Sequence, residues 1–273
     1  CALPICEGGR FMEEIVLTPV AYVISSVEDP GKMPLGGLDA VIEVLPEYVE
    51  ALQGLEENSN LWILSWFHKA SRDNLKARPG KVNPDIPEYG VFALRAYTRP
   101  NPIGLSLVKL DRVEENRIYV RGLDAVSGTP VLDIKPYFEN DIIFSPLTPY
   151  IRAKSRAMRQ GIIRKRAFVH HREDCLDMLI GVRMAAIAED YFGHLNTPDL
   201  MVKVQGSLCL ADTIQGVTQA RLANPPRFSY TNVENRSETI WTKSKKTVSI
   251  CLKENFSQAD LENLADEELF AIC

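Results

Sequence analysis

The chain has 273 residues, 45% of them apolar and 25% charged, and a net charge of −5. That length and balance describe a soluble globular protein of one or two domains with a real core. The negative balance excludes a global pull on nucleic acid, so a polyanion would have to meet a local patch, and no apolar run approaches the roughly 20 residues of a membrane-spanning helix.

Residues 1–13 read as a loose leader. Ala2-Leu3-Pro4-Ile5 is too short for the apolar region of a signal peptide. Cys1 and Cys6 are two lone thiols rather than a metal site. The six cysteines lack disulfide-framework spacing and read as reduced, which places the protein in the cytoplasm. Residues 15–24 alternate as a strand, 29–37 form a Pro- and Gly-rich loop, and 40–45 give a second strand. Pro46-Glu47-Tyr48 opens a short helix, proline being suited to a first turn. Residues 61–67 are continuously apolar and read as a buried central strand, with His68 at its end. Residues 71–88 hold three prolines and read as an excursion, and 90–94 read as a further strand.

The stretch Arg95-Ala96-Tyr97-Thr98-Arg99-Pro100-Asn101-Pro102-Ile103-Gly104-Leu105-Ser106 is stiff and donor-rich. Each proline fixes φ and removes a backbone donor, and Arg99 and Asn101, preceding prolines, are pushed out of the helical region. An extended loop of this kind can present carbonyls and guanidinium groups to a ligand; the plainer alternative is a rigid connection with surface arginines. Residues 105–113 and 118–123 pair around a turn. The segment from Ser127-Gly128-Thr129-Pro130 to Lys135-Pro136-Tyr137 repeats the pattern of a Pro/Gly turn followed by a short strand. Many short strands with little helix over residues 14–146 argue for a small all-β compact barrel or a strongly curved sheet.

The character changes around Ser145, Pro146 and Pro149 mark a linker, and from Ile151 helical periodicity takes over. Residues 151–171 are strongly basic, with Arg152, Lys154, Arg156, Arg159, Arg164, Lys165 and Arg166. Residues 174–192 form an amphipathic helix, 201–204 a strand, 211–222 a helix, and three short strands follow. An acidic helix over 260–270 ends the chain, with Ser257 as a cap of its first turn. Residues 147–273 therefore read as a smaller α+β domain.

The motifs of the first half resemble the TrmO (TsaA/YaeB-like) methyltransferases from about Ile15 to Phe144. The resemblance lies in Pro46-Glu47-Tyr48, residues 61–68, Gly90-Val91-Phe92-Ala93-Leu94-Arg95, Arg99-Pro100-Asn101-Pro102-Ile103-Gly104-Leu105-Ser106 and the run from Gly128 to Tyr137. It implies a barrel that binds S-adenosylmethionine, a homodimer with the pocket near the subunit boundary, and N6-methylation of threonylcarbamoyladenosine beside the tRNA anticodon. It also implies cofactor contacts at Phe67, His68, Arg95, Leu105, Ser127, Gly128, Thr129 and Pro130. The chemistry agrees, because methyl transfer is an in-line displacement dominated by positioning. Asp133 and Lys135 are then candidates to orient or deprotonate the acceptor nitrogen, Asp124, Asp133, Tyr137 and the loop carbonyls are the right kinds of group to stabilise a sulfonium, and Arg99 and Asn101 are candidates for contacts with substrate or the second protomer. The plainer readings stand beside these: Tyr137 packs a core edge, and Asp133 with Lys135 is an exposed ion pair. Two departures are visible. Ser127 stands where the family usually has Asp before Gly-Thr-Pro, and the loop over residues 28–37 is short.

The second half resembles the FmdE-type domain of formylmethanofuran dehydrogenase. The resemblance lies in Cys175 with Ile180-Gly181-Val182-Arg183-Met184-Ala185, and in Cys209-Leu210-Ala211-Asp212-Thr213-Ile214-Gln215. Glu173 replaces the histidine of that family's His-x-Cys-Pro motif, and its later cysteine is missing near Gln219-Ala220. A soft-metal site from Cys175, Cys209 and a histidine and a decayed site kept as scaffold are both open, and no metal ligand is assigned. Three functions follow: a methyltransferase for modified tRNA that tracks phosphates with residues 152–166, a methyltransferase for a small metabolite or one-carbon cofactor, or a non-catalytic S-adenosylmethionine- and metal-binding regulator.

Overall fold

A computed structural model describes residues 15–273, so the leader and its two cysteines lie outside the described residues. The chain forms two compact units. One comprises the chain up to Ala77 with Gly90–Ile142, and the other Arg78–Tyr89 with Ile143–Cys273. No described helix is long and apolar enough to cross a membrane.

The first unit is a closed barrel of six strands: β1 (Ala21–Ile24), β2 (Leu38–Val44), β3 (Asn60–Trp66), β4 (Ile103–Glu114), β5 (Arg117–Leu123) and β6 (Pro130–Pro136). Their order is β1-β2-β5-β4-β3-β6, and β6 closes on β1 through Ala21 opposite Val131. Closure follows from strict alternation, since side chains of period two feed one interior. Val23, Ile42, Leu61, Ile63, Val108, Ile118, Val120 and Val131 fill that interior.

The structure corrects three expectations here. Residues 61–67 are not buried on both faces: Leu61, Ile63 and Ser65 point inward, whereas Trp62, Leu64 and Trp66 stand half-buried on the outside. Residues 90–94 are not a strand but a single 3₁₀ turn, Val91–Ala93. The first strand is also shorter than its apolar run, only Ala21–Ile24.

The second unit sets a five-stranded sheet beside three long helices. Its elements are α1 (Arg156–His171), α2 (Leu176–Phe192), β7 (Leu200–Gly206), α3 (Leu208–Thr218), β8 (Phe228–Asn232), β9 (Glu238–Lys243), β10 (Lys246–Leu252), α4 (Gln258–Asn263), α5 (Asp266–Leu269) and β11 (Phe270–Ile272). The sheet order is β8-β7-β9-β10-β11, with β8 parallel to β7 and the other pairs antiparallel. Helix α2 is not amphipathic as its sequence suggests. Met178, Ile180 to Val182 and Met184 to Ala188 are all buried, so it runs through the core. The acidic C-terminal helix is divided into α4 and α5 and ends in a strand.

Candidate functional site

Barrel closure brings several predicted site residues to one end. The Phe67 amide donates to Pro102 O (2.8 Å), tying the end of β3 to the Pro-rich loop. Lys69 Nζ donates to Glu28 O (2.7 Å) and the Ser127 amide to Val27 O (2.8 Å). The end of β3, the Pro-rich loop and the turn before β6 therefore converge. At this end His68 and Gly128 are exposed and Ser127 is half-buried, while Thr129 is fully buried inside the barrel with its hydroxyl unpartnered. Ser65 Oγ, also fully buried, has no partner either. Partial burial, and then the Lys69 ammonium, lower the His68 pKa. Its imidazole is thus neutral at neutral pH and able to accept a hydrogen bond.

The glycine of the Pro-Ile-Gly motif has a steric cause. A Cβ on Gly104 would lie 2.5 Å from Phe67 Cζ and 2.6 Å from Ser65 Oγ. Phe67 lies across the start of β4 and packs on the barrel core.

The Pro-rich loop behaves differently from its sequence reading, because its carbonyls are largely used internally. Arg99 donates through Nε to Ala96 O (2.9 Å) and through one terminal nitrogen to Val91 O (2.6 Å) and Leu94 O (2.5 Å). Arg72 Nε donates to Pro100 O (2.9 Å), and Asn101 O accepts from the Ile103 amide (2.7 Å). Arg99 is a staple of the loop, whereas Arg95 and Asn101 are exposed. Replacing Arg99 with Lys keeps the charge but loses the planar fork that spans three carbonyls. The variant should lose about 1–3 kcal/mol of local stability and show several-fold faster proteolysis within residues 91–101. Unchanged cleavage there would refute the staple role.

Other predicted residues lie on the outer barrel face. Leu105 pairs with Leu64, which pairs with Asp133, and Leu107 pairs with Trp62, which pairs with Lys135. Asp133 and Lys135 form an exposed ion pair (2.7 Å), and the Tyr137 ring lies 5.9 Å from that of Trp62. Ile103, Leu105 and Leu107 stand 38–48% exposed beside them. An apolar strip with a polar edge results, formed by β4, β3 and β6. The predicted residues thus divide between the barrel end and this face.

The basic run of residues 152–166 meets carboxylates of its own unit. Arg152 and Arg156 pair with Asp190, Lys154 with Asp85 (2.7 Å), Arg159 with Glu189 (3.4 Å) and Arg164 with Asp174 (2.5 Å). Nearby, His171 Nδ1 lies 2.8 Å from Asp212 Oδ2, and His171 Nε2 lies 3.3 Å from Cys175 Sγ. Burial and the neighbouring Cys175, Asp177 and Glu173 raise the Cys209 thiol pKa.

Residues 30–141 match the family model of the tRNA-methyltransferase O N-terminal domain. A probable S-adenosyl-L-methionine-binding protein of Methanothermobacter thermautotrophicus is 42% identical over 132 residues, which cover 46% of this chain and 93% of that protein. The chain belongs to the tRNA-methyltransferase O family. The TrmO match falls on the barrel unit, including both Pro/Gly loops. A probable S-adenosyl-L-methionine-binding protein of Archaeoglobus fulgidus is 34% identical over 190 residues, covering 67% of this chain and 51% of its own length. A mouse tRNA (adenine(37)-N6)-methyltransferase is 49% identical over 148 residues, covering 50% of this chain and 33% of its own. The chain thus spans about half of the Archaeoglobus relative and a third of the mouse one. Residues 170–270 match a second family model, that of FmdE from the molybdenum formylmethanofuran dehydrogenase operon.

Proposed function

We propose that this TrmO-family chain is an S-adenosylmethionine-dependent methyltransferase that methylates N6 of an adenine in tRNA, with threonylcarbamoyladenosine as the acceptor, in the cytoplasm. The observation that carries this reading is the 42% identity over nearly the whole of an S-adenosylmethionine-binding relative. The mouse relative named for N6 transfer to tRNA adenine supports the acceptor. The barrel end fits the cofactor by its donor set: a neutral imidazole at His68, the Ser127 hydroxyl and the open backbone of Gly128, with the apolar Ile103 and Leu105 on the outer face at the start of β4. S-adenosylmethionine supplies a methyl group on a sulfonium. The chain's part is to orient the acceptor nitrogen in line with that methyl, to exclude water with the apolar strip and to receive the N6 proton. Asp133, held by Lys135, is the proposed orienting or proton-accepting group, with Tyr137 at its side.

The exposed strip of Ile103, Leu105 and Leu107 supports a homodimer closed over this face. Incubating the protein with labelled S-adenosylmethionine and tRNA, with and without the threonylcarbamoyl group, tests the reading. Label confined to the modified tRNA is expected; no label on either tRNA overturns it.

One observation favours a second reading, a small-metabolite acceptor. The cations that would follow tRNA phosphates are paired within the protein. Under that reading transfer to tRNA is absent, and Arg164→Glu leaves methyl transfer to the metabolite unchanged.

A further inference from the structure

The second unit holds a recess that the methyl-transfer reading does not use. Its volume is about 160 Å³, and its walls are the segment 148–153, helix α1, the end of α2 with the residues just beyond it, and Val217 at the end of α3. Helix α2 has 17 residues, about 25 Å of helix, and Glu189 lies in its last turn, so the recess is at the far end of that helix from Cys175. A cavity of about 150 Å³ admits a molecule the size of benzene.

The walls differ in chemistry. Ile162, Ile163, Leu195 and Val217 make one side apolar. Tyr150 and His194 stack on another, with ring centroids 4.9 Å apart and an interplanar angle of 6°. Burial, then the Arg166 and Lys243 charges, lower the His194 pKa, so this imidazole is neutral at neutral pH.

Arg166 stands at the recess with its charge uncompensated. It is accessible, yet the surrounding protein destabilises the guanidinium, and burial lowers its pKa. Among the described residues its one hydrogen bond runs from a terminal nitrogen to Val217 O (3.3 Å), and no carboxylate is in ion-pair contact with it, Glu189 acting only at longer range. Arg159, by contrast, is held by Glu189 (3.4 Å) and Asp190 (3.2 Å). The rest of the Arg166 fork is open, and a planar fork of this kind takes a carboxylate through two parallel bonds.

Three further polar atoms of this wall are buried without a hydrogen-bond partner: the Tyr150 hydroxyl, Arg159 Nε and Glu189 Oε2. Folded proteins leave few such atoms unmatched, and three together need an explanation. An ionised Glu189 only accepts, so its missing partner is a donor.

We propose that this recess binds a small carboxylate, of about six heavy atoms by its volume, with a hydroxyl or amino group on the carbon next to the carboxylate. The carboxylate pairs with Arg166, the hydroxyl or ammonium donates to Glu189, and the short carbon chain lies against Ile163 and Leu195. This inference stands apart from the methyl-transfer reading, since every residue it uses belongs to the second unit.

The test titrates the full chain with L-lactate, L-alanine and propionate, followed by calorimetry and by saturation transfer to the ligand protons. Lactate or alanine should bind saturably at one site per chain, and propionate, which lacks the donor, about 10-fold more weakly. Arg166→Gln should weaken the better ligand roughly 10–100-fold. Ile162→Phe, with its fold checked by circular dichroism, should abolish binding by filling the recess. Glu189→Gln separates the two donors: an ammonium ligand loses its charge partner, whereas a hydroxyl ligand keeps an acceptor. Absence of saturable binding of all three compounds to the unaltered chain would overturn the proposal. So would binding that Arg166→Gln and Ile162→Phe both leave unchanged, or propionate bound as tightly as the better of the other two.

Discussion

Arg183→Ala should destabilise the second unit by about 3 kcal/mol, the low end of the range for breaking a buried ion pair. The guanidinium is only 13% exposed and lies at the centre of a hub. Nε donates to Asp266 Oδ1 (2.8 Å), and the two terminal nitrogens donate to Leu261 O (2.5 Å) and Leu264 O (2.9 Å). These carbonyls lie at the end of α4 and just beyond it, so one side chain on α2 fastens the C-terminal segment. Arg156 on α1 also pairs with Asp266, so part of the carboxylate's compensation survives the substitution. Arg183→Lys should recover little, because an ammonium cannot match the fork. The urea midpoint of the helical transition in the full chain reads the effect. A shift worth under about 0.5 kcal/mol, the ordinary range for a surface substitution, would refute the hub.

Arg183 also illustrates what is legible in a sequence. It stands inside the Ile-Gly-Val-Arg-Met-Ala run that carries the resemblance to the FmdE-type domain, yet its partners lie 78–83 residues away. No local pattern could show them. The barrel strands are legible because alternation with period two is itself local, and the two Pro/Gly turns because their backbone constraint is local. The 3₁₀ turn at Val91–Ala93 is not, since Arg99 draws in the Val91 carbonyl from eight residues on and converts an apolar run that would otherwise extend. The same bonds remove the loop carbonyls from the candidate site. The basic run reads as a free electropositive patch for a similar reason: Asp190, Asp174 and Asp85 lie elsewhere in the chain. His171 and Cys175 meet across the link between α1 and α2, where Arg172 turns left-handed, so no helical spacing in the sequence could show that contact.

Gly37→Ala is the substitution expected to damage the barrel most. Gly37 has φ +70°, and an added Cβ would sit 2.5 Å from the Leu123 carbonyl carbon and 2.6 Å from the carbonyl carbon and oxygen of Gly122. Two effects add. The left-handed backbone disfavours a side chain by roughly 1–2 kcal/mol, and overpacking adds about 1–3 kcal/mol because the obstructing atoms are backbone rather than a side-chain tip. A loss of about 3 kcal/mol or more follows. The consequence is also local to the proposed cofactor site, for β5 ends at Leu123 and the turn bearing Ser127 and Gly128 follows four residues later. Displacing Leu123 therefore moves one wall of that site while leaving the second unit's helices alone. Calorimetry of the full chain should show the barrel transition lowered and the helical unit unchanged, with S-adenosylmethionine affinity falling at a temperature where the barrel remains folded. If affinity and the barrel transition both match those of the unaltered chain, neither the close contact at Leu123 nor its coupling to the Ser127 turn is real.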